Sequence, residues 1–215
     1  MTDQTNQCQV WDPNPTPHQS LTWTGECKNG KANSQGIAEW HEAGRVVTSI
    51  EGVMQDGRCQ GQCLVYITSG KNKFKYSGQL KDNNLEGKGA LTWPNGNKYS
   101  GNWVKGERHG KGTFIWKNGT TYTGDWKNDK STGRGTYTWV DRYEKKYTGE
   151  VKDGKFHGSG VMLYATDDKY SGSWVNGKRH GKGIYTFNDG TIYKGIWENG
   201  TRIQLFPRLR NFFFW

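Results

Sequence analysis

The sequence predicts an all-β protein: an elongated, single-layer antiparallel sheet of tandem β-hairpins, curved into a groove, with a cap at each end. Three observations carry that expectation. A block of 23 residues recurs along most of the chain. Inside each block, large rings and glycines alternate with period two, the side-chain period of a strand. And the composition pairs only 32% hydrophobic residues with 31 Gly and 11 Trp, too few aliphatics for a two-layer core and too many rings for disorder.

The repetition is plain when the chain is cut at tyrosines. From residue 76 it reads YSGQLKDNNLEGKGALTWPNGNK, YSGNWVKGERHGKGTFIWKNGTT and YTGDWKNDKSTGRGTYTWVDRYEKK. YTGEVKDGKFHGSGVMLYATDDK, YSGSWVNGKRHGKGIYTFNDGTI and a truncated YKGIWENGT follow. Two weaker copies precede them. In WTGECKNGKANSQGIAEW, Trp23 takes the tyrosine position; in IEGVMQDGRCQGQCLVY, Ile50 does, and Cys63 replaces the final glycine. The blocks resemble the MORN (membrane occupation and recognition nexus) repeat, whose signature is close to Y-x-G-x-W/F-x-x-G-x-x-x-G-x-G. The resemblance covers about residues 23–200 and implies a protein-interaction or scaffolding module. The family's name also points to membranes.

Each block reads as one hairpin. In YSGSW, Tyr170, Gly172 and Trp174 share a face and Ser171 and Ser173 share the other. VNGKRH is turn-forming, GKGIYTF returns with Gly181, Gly183, Tyr185 and Phe187 on one face, and NDG turns into Tyr193. Glycine weakens a strand, so its repetition needs a compensating gain. The expectation is that rings of one strand lie over bare backbone of the next: burying about 150–250 Å² per ring at about 25 cal/mol per Å² outweighs about 1 kcal/mol lost per glycine.

Three segments follow: a capping segment at 1–22, the repeat array at 23–200 (about eight units, the last incomplete), and an aromatic segment at 201–215 that caps, docks onto another copy or meets a membrane. In the last, Phe212, Phe213, Phe214 and Trp215 are the docking candidates. Cys8, Cys27, Cys59 and Cys63 are the four cysteines; their even count suggests two disulfides, Cys8 with Cys27 and Cys59 with Cys63 across the second hairpin's turn, and hence a secreted or periplasmic protein whose leader has been removed. Four reduced thiols in a cytoplasmic or membrane-peripheral protein are the alternative, and the spacing fits no common zinc finger. No run of eighteen apolar residues is present.

No catalytic, metal or cofactor motif is found, and no enzyme is expected. His109, His157 and His180 recur at one repeat position, which speaks for a hairpin role, because catalysis needs different residues converging on one point. Asp167 and Asp168 read as a solvated turn. Two binding surfaces remain. Tyr99, Trp103, Tyr122, Trp126, Tyr147, Tyr170, Trp174 and Tyr193 would line the groove and hold a protein or peptide. Lys105, Arg108, Lys111, Lys178, Arg179 and Lys182 would align along one basic margin and meet anionic lipid. Net charge supports such a margin: residues 1–70 hold four Lys/Arg against seven Asp/Glu, whereas the chain as a whole carries +10. Nucleic acid is disfavoured because the rings are committed to packing. A homo-oligomer through the C-terminal segment is the further partner expected.

Overall fold

The computed structural model describes residues 1–3, 7–12, 19–68, 73–140 and 143–205, with only the backbone of 204 and 205. Phe212, Phe213, Phe214 and Trp215 lie outside the described residues. Every described element is a strand or a turn. In chain order these are β1 (Gln19–Trp23), β2 (Cys27–Lys28), β3 (Lys31–Ala32), β4 (Gln35–Glu42), β5 (Arg45–Gln55), β6 (Arg58–Ile67), β7 (Phe74–Lys81), β8 (Asn84–Thr92) and β9 (Lys98–Val104). The series continues with β10 (Glu107–Ile115), β11 (Thr121–Lys127), β12 (Lys130–Thr138), β13 (Glu144–Lys152), β14 (Lys155–Tyr164), β15 (Lys169–Val175), β16 (Lys178–Thr186), β17 (Ile192–Glu198) and β18 (Thr201–Leu205).

The chain forms two compact units, Met1–Lys117 with Lys127–Asp129 and Asn118–Trp126 with Lys130–Trp215. In the first, β1 pairs with β4 and each later strand pairs antiparallel with its successor up to β10. In the second, β11 to β18 follow the same rule. Neither sheet closes into a barrel, so both are open antiparallel sheets of hairpins.

The hairpin turns are tighter than VNGKRH suggested. Only Asn176 and Gly177 turn, at φ +49° and +83°, and Lys178, Arg179 and His180 already belong to β16. Paired positive φ values match the right-handed twist of the flanking strands, which is why Asn-Gly and Asp-Gly recur there. Two residues beyond, a bulge intervenes: Trp174 opposes Arg179 and Gly172 opposes Gly183, so two strand steps on one side face four on the other. Gly181 sits at φ +62° inside it. It therefore serves the bulge, whereas Gly183 serves the rings, and the two glycines expected to share one task have separate ones.

In the first unit the N-terminal segment seals a corner of the sheet. Gln9 N–H donates to Gly30 O (2.8 Å), Ala32 N–H to Gln9 O (3.0 Å) and Trp11 N–H to Gly57 O (2.8 Å). The Asp3 carboxylate, itself buried, accepts the Trp23 N–H at 2.7 Å. Cys8 and Val10 are buried, and Cys8 is bonded to Cys27. Cys59 is bonded to Cys63, but the bond does not bridge the Asp56–Gly57 turn: both cysteines stand on β6, on either side of the bulge at Gly61 (φ +70°).

Candidate functional site

One face of each sheet is built from a repeated cell. Tyr76, Tyr99, Tyr122, Tyr147 and Tyr170 are all essentially buried, each lying over the glycine two residues on and a second glycine in the following strand. A methyl group on Gly183 would stand 2.6 Å from Tyr170 Cε2, and one on Gly89 2.6 Å from Tyr76 Cε2. The ring is thus possible only over bare backbone. Each hydroxyl then donates to the carbonyl three residues ahead: Tyr76 to Gln79 (2.7 Å), Tyr99 to Asn102 (3.0 Å), Tyr122 to Asp125 (3.1 Å), Tyr147 to Glu150 (2.7 Å) and Tyr170 to Ser173 (3.2 Å). Burial raises the Tyr76, Tyr99 and Tyr170 hydroxyls to about 12, the nearby Arg108 and Arg179 opposing that rise in the latter two. Trp23 plays the same part with its indole, lying over Gly25 and Gly36 and donating Nε1–H to Glu26 O at 3.3 Å, again three residues on.

That fourth residue of each block carries a second signal, unused in reading the sequence. Gln79 Oε1 accepts the Lys88 N–H (3.0 Å), Asp125 Oδ2 the Arg134 N–H (3.1 Å) and Glu150 Oε1 the Ser159 N–H (2.9 Å). Each of these N–H groups follows a bulge glycine and would otherwise lack a ladder partner. The polar residue after Y-x-G, apparent in YSGQ, YTGD and YTGE, could have disclosed the bulge.

Above the tyrosines stand further rings that packing covers less. Two and four residues after the second glycine come Phe114 and Trp116 in one block, Tyr137 and Trp139 in the next, and Tyr185 and Phe187 in a later one. Trp93, Trp116, Trp139, Tyr137, Tyr185 and Phe187 are only partly buried, and Tyr143 and Tyr193 are exposed. In the first unit, Trp93 meets Phe114 at 5.4 Å and Phe114 meets Trp116 at 4.7 Å. In the second, Tyr143, Tyr164, Tyr185, Phe187 and Tyr193 form an unbroken chain of ring contacts of 4.8–5.9 Å. Each unit holds a shallow hollow among these rings, about 400 Å³ beside Trp93, Phe114 and Arg108, and about 580 Å³ beside Tyr143, Tyr185, Tyr193 and Arg202.

Arginines belong to this face too. Arg108 Nε donates to Asp129 Oδ1 at 2.8 Å and holds its guanidinium 5.1 Å above the Phe114 ring. Arg179 donates to Gly200 O at 2.8 Å and lies over Tyr170 and Tyr185 at 5.6 and 5.8 Å. Planar guanidinium on a ring face is a favourable cation–π arrangement. Asp168 is buried rather than solvated, accepting the Tyr185 hydroxyl (2.9 Å) and the Asn188 N–H (2.9 Å). Burial, then the hydrogen bond to Asp168, pushes the Tyr185 hydroxyl well above the ordinary tyrosine value.

Of the residues expected to line a groove, Tyr99, Trp103, Tyr122, Trp126, Tyr147, Tyr170 and Trp174 are at most 6% exposed and form the core of the cells. Tyr193 alone is open to solvent, at 38%. Rings one layer further out are less covered. The six basic residues do not form one margin. Arg108 and Arg179 oppose Trp103 and Trp174 and so share the ring face. Lys105 lies in a turn, while Lys178 and Lys182 have the opposite strand parity to Arg179, and Lys111 stands beside the Gly110 bulge. Among the described residues, no three His, Cys, Asp or Glu side chains converge as a metal site, and no helix is long and apolar enough to cross a membrane.

Comparison with known proteins agrees with this anatomy at the level of the family. No curated protein matches the chain. Among solved structures, the SAS-4 (dCPAP) TCP domain of Drosophila melanogaster, in complex with a proline-rich motif of Ana2 (dSTIL), is similar over 89% of this chain and 99% of that one, at 12% identity and a TM-score of 0.45. The MORN repeat pattern matches residues 76–98, 99–121, 122–142, 147–169 and 170–192. With five consecutive matches over more than half of its residues, the chain belongs to the MORN-repeat family.

Proposed function

We propose that this MORN-repeat protein is a binding scaffold whose partner is a protein or peptide segment laid across the outer rings of the repeat face. The observation that supports it most directly is the incomplete burial, within the first unit, of Trp93 and Trp116, one per block, beside cells that are otherwise closed. Partly exposed indoles and arginine-covered rings are the side chains on which interface energy concentrates. The two disulfides support a secreted or periplasmic setting.

Peptides selected on the intact chain from a displayed library would test the reading. Trp93→Ala or Trp116→Ala should weaken a selected peptide roughly tenfold or more, the usual loss at an aromatic hot spot. Lys178→Ala with Lys182→Ala should leave it bound. Peptide binding indifferent to both tryptophans would refute the proposal. Salt-sensitive binding to anionic vesicles that depends on the lysines would favour a lipid surface instead.

A further inference from the structure

Within the second unit, Tyr147 and Tyr170 are closed over in one manner. An indole from the following hairpin meets each ring edge-on, Trp174 on Tyr147 at 5.4 Å and 89°, Trp197 on Tyr170 at 5.1 Å and 72°. Each ring can lie flat because glycine opposes glycine, Gly160 with Gly149 and Gly183 with Gly172. Tyr193 meets neither condition. The register puts Leu205, not a glycine, opposite Gly195. Tyr193 is 38% exposed, with the Phe187 ring at 4.9 Å and the Arg202 guanidinium 4.6 Å from its centroid. Among the described residues, no following indole covers it. Tyr143, 58% exposed, and Trp197 complete the sides of the hollow around it.

We propose that this hollow seats the chain's own C-terminal rings, so that a ring from Phe212, Phe213, Phe214 or Trp215 closes on Tyr193 as Trp197 closes on Tyr170. The repeat itself defines the occupant's chemistry, an aromatic ring presented edge-on from the next position along the sheet. The chain leaves β18 beside this hollow, and FPRLRNFFFW follows directly. Six residues lie between Leu205 and Phe212, seven Cα steps with a reach of up to about 23 Å. The next strand position is only about 4.8 Å away, so the span is ample. Pro207 has no N–H to give to a ladder. The inference stands apart from the partner proposed above, since it concerns only the end of the array.

Two measurements on the full chain test it. With Trp215 replaced by the photo-cross-linker p-benzoylphenylalanine, irradiation should join position 215 to the peptide holding Phe187, Tyr193 or Trp197 in the same molecule. Joining to unit 1, or only between two molecules, overturns the proposal, the latter in favour of a second copy. Replacing Phe212, Phe213, Phe214 and Trp215 together by Ser should speed amide exchange in residues 192–203 on the order of tenfold while β7 to β9 keep their rates. Unchanged exchange in β17 and β18 equally overturns it.

Discussion

The cell at residues 76–89 and the cell at residues 50–63 occupy the same place in successive hairpins of the first unit, yet they are filled by different chemistry. In the first, the Tyr76 ring lies over Gly78 and Gly89. In the second, Ile50 stands where Tyr76 would, Gly52 where Gly78 would, and Cys63 where Gly89 would. Ile50 is too short to cover the neighbouring strand, so Cys63 can carry a Cβ there. Its disulfide to Cys59 then fills the vacated space: a methyl group on Gly52 would stand 2.6 Å from Cys59 Sγ and 3.1 Å from Cys63 Sγ. A covalent bridge has replaced a ring as the material over the glycine. The bulge is unchanged, with Gly61 and Gly87 at φ +70° and +62°. Backbone geometry is thus the constant of the repeat, and the filler is interchangeable.

The difference can be broken from either side. Gly89→Ala should be the largest loss, about 3 kcal/mol, because the added methyl displaces the Tyr76 ring and its hydroxyl bond together. Denaturant midpoints compared with wild type would measure it. Cys59→Ser with Cys63→Ser should cost about 2 kcal/mol, the contribution of a bridge closing so short a loop. That loss should appear as faster amide exchange in β5 and β6. Tyr76→Phe should cost least, about 1 kcal/mol, since the ring stays and only the bond to Gln79 O is lost.

Alkali sharpens the contrast. The folded-state values of Tyr76, Tyr99 and Tyr170 are raised to about 12 from an ordinary 10.0, and a raised value marks stability present while the hydroxyl keeps its proton. That stability is complete below pH 10.0 and is lost as pH climbs toward about 12. Tyrosinate absorbance should therefore rise together with loss of β circular dichroism. The Ile50 cell has no ionisable ring and contributes nothing to that transition.

Much of this was legible in the residues. Period-two alternation of ring and glycine gave the hairpins, and the need to offset repeated glycine gave the stacking of rings on bare backbone. Both cysteine pairs were also anticipated, though not that Cys59 and Cys63 share one strand. What escaped was depth. Tyr99 and Trp116 are both aromatic residues on the ring face, but Tyr99 lies over the bare backbone of Gly101 and Gly112 and is buried, whereas Trp116 is only partly covered. Arg179 and Lys182 look like one basic cluster in KRHGK, but strand parity sends them to opposite faces. A linear pattern records neighbours along the chain and not height above a sheet.

The block from Tyr122 to Lys146 holds two residues more than its fellows, and they fall between the paired residues Thr138 and Lys146, where the earlier pair Thr92 and Lys98 encloses two fewer, while Tyr147 still finds Gly160 beneath it. Insertions at that connection leave the cells intact, whereas a single residue added inside YTGEV would swap the faces of everything after it. Growth of such an array is therefore restricted to whole hairpins, and variation in loop length is confined to the side away from the two-residue turns.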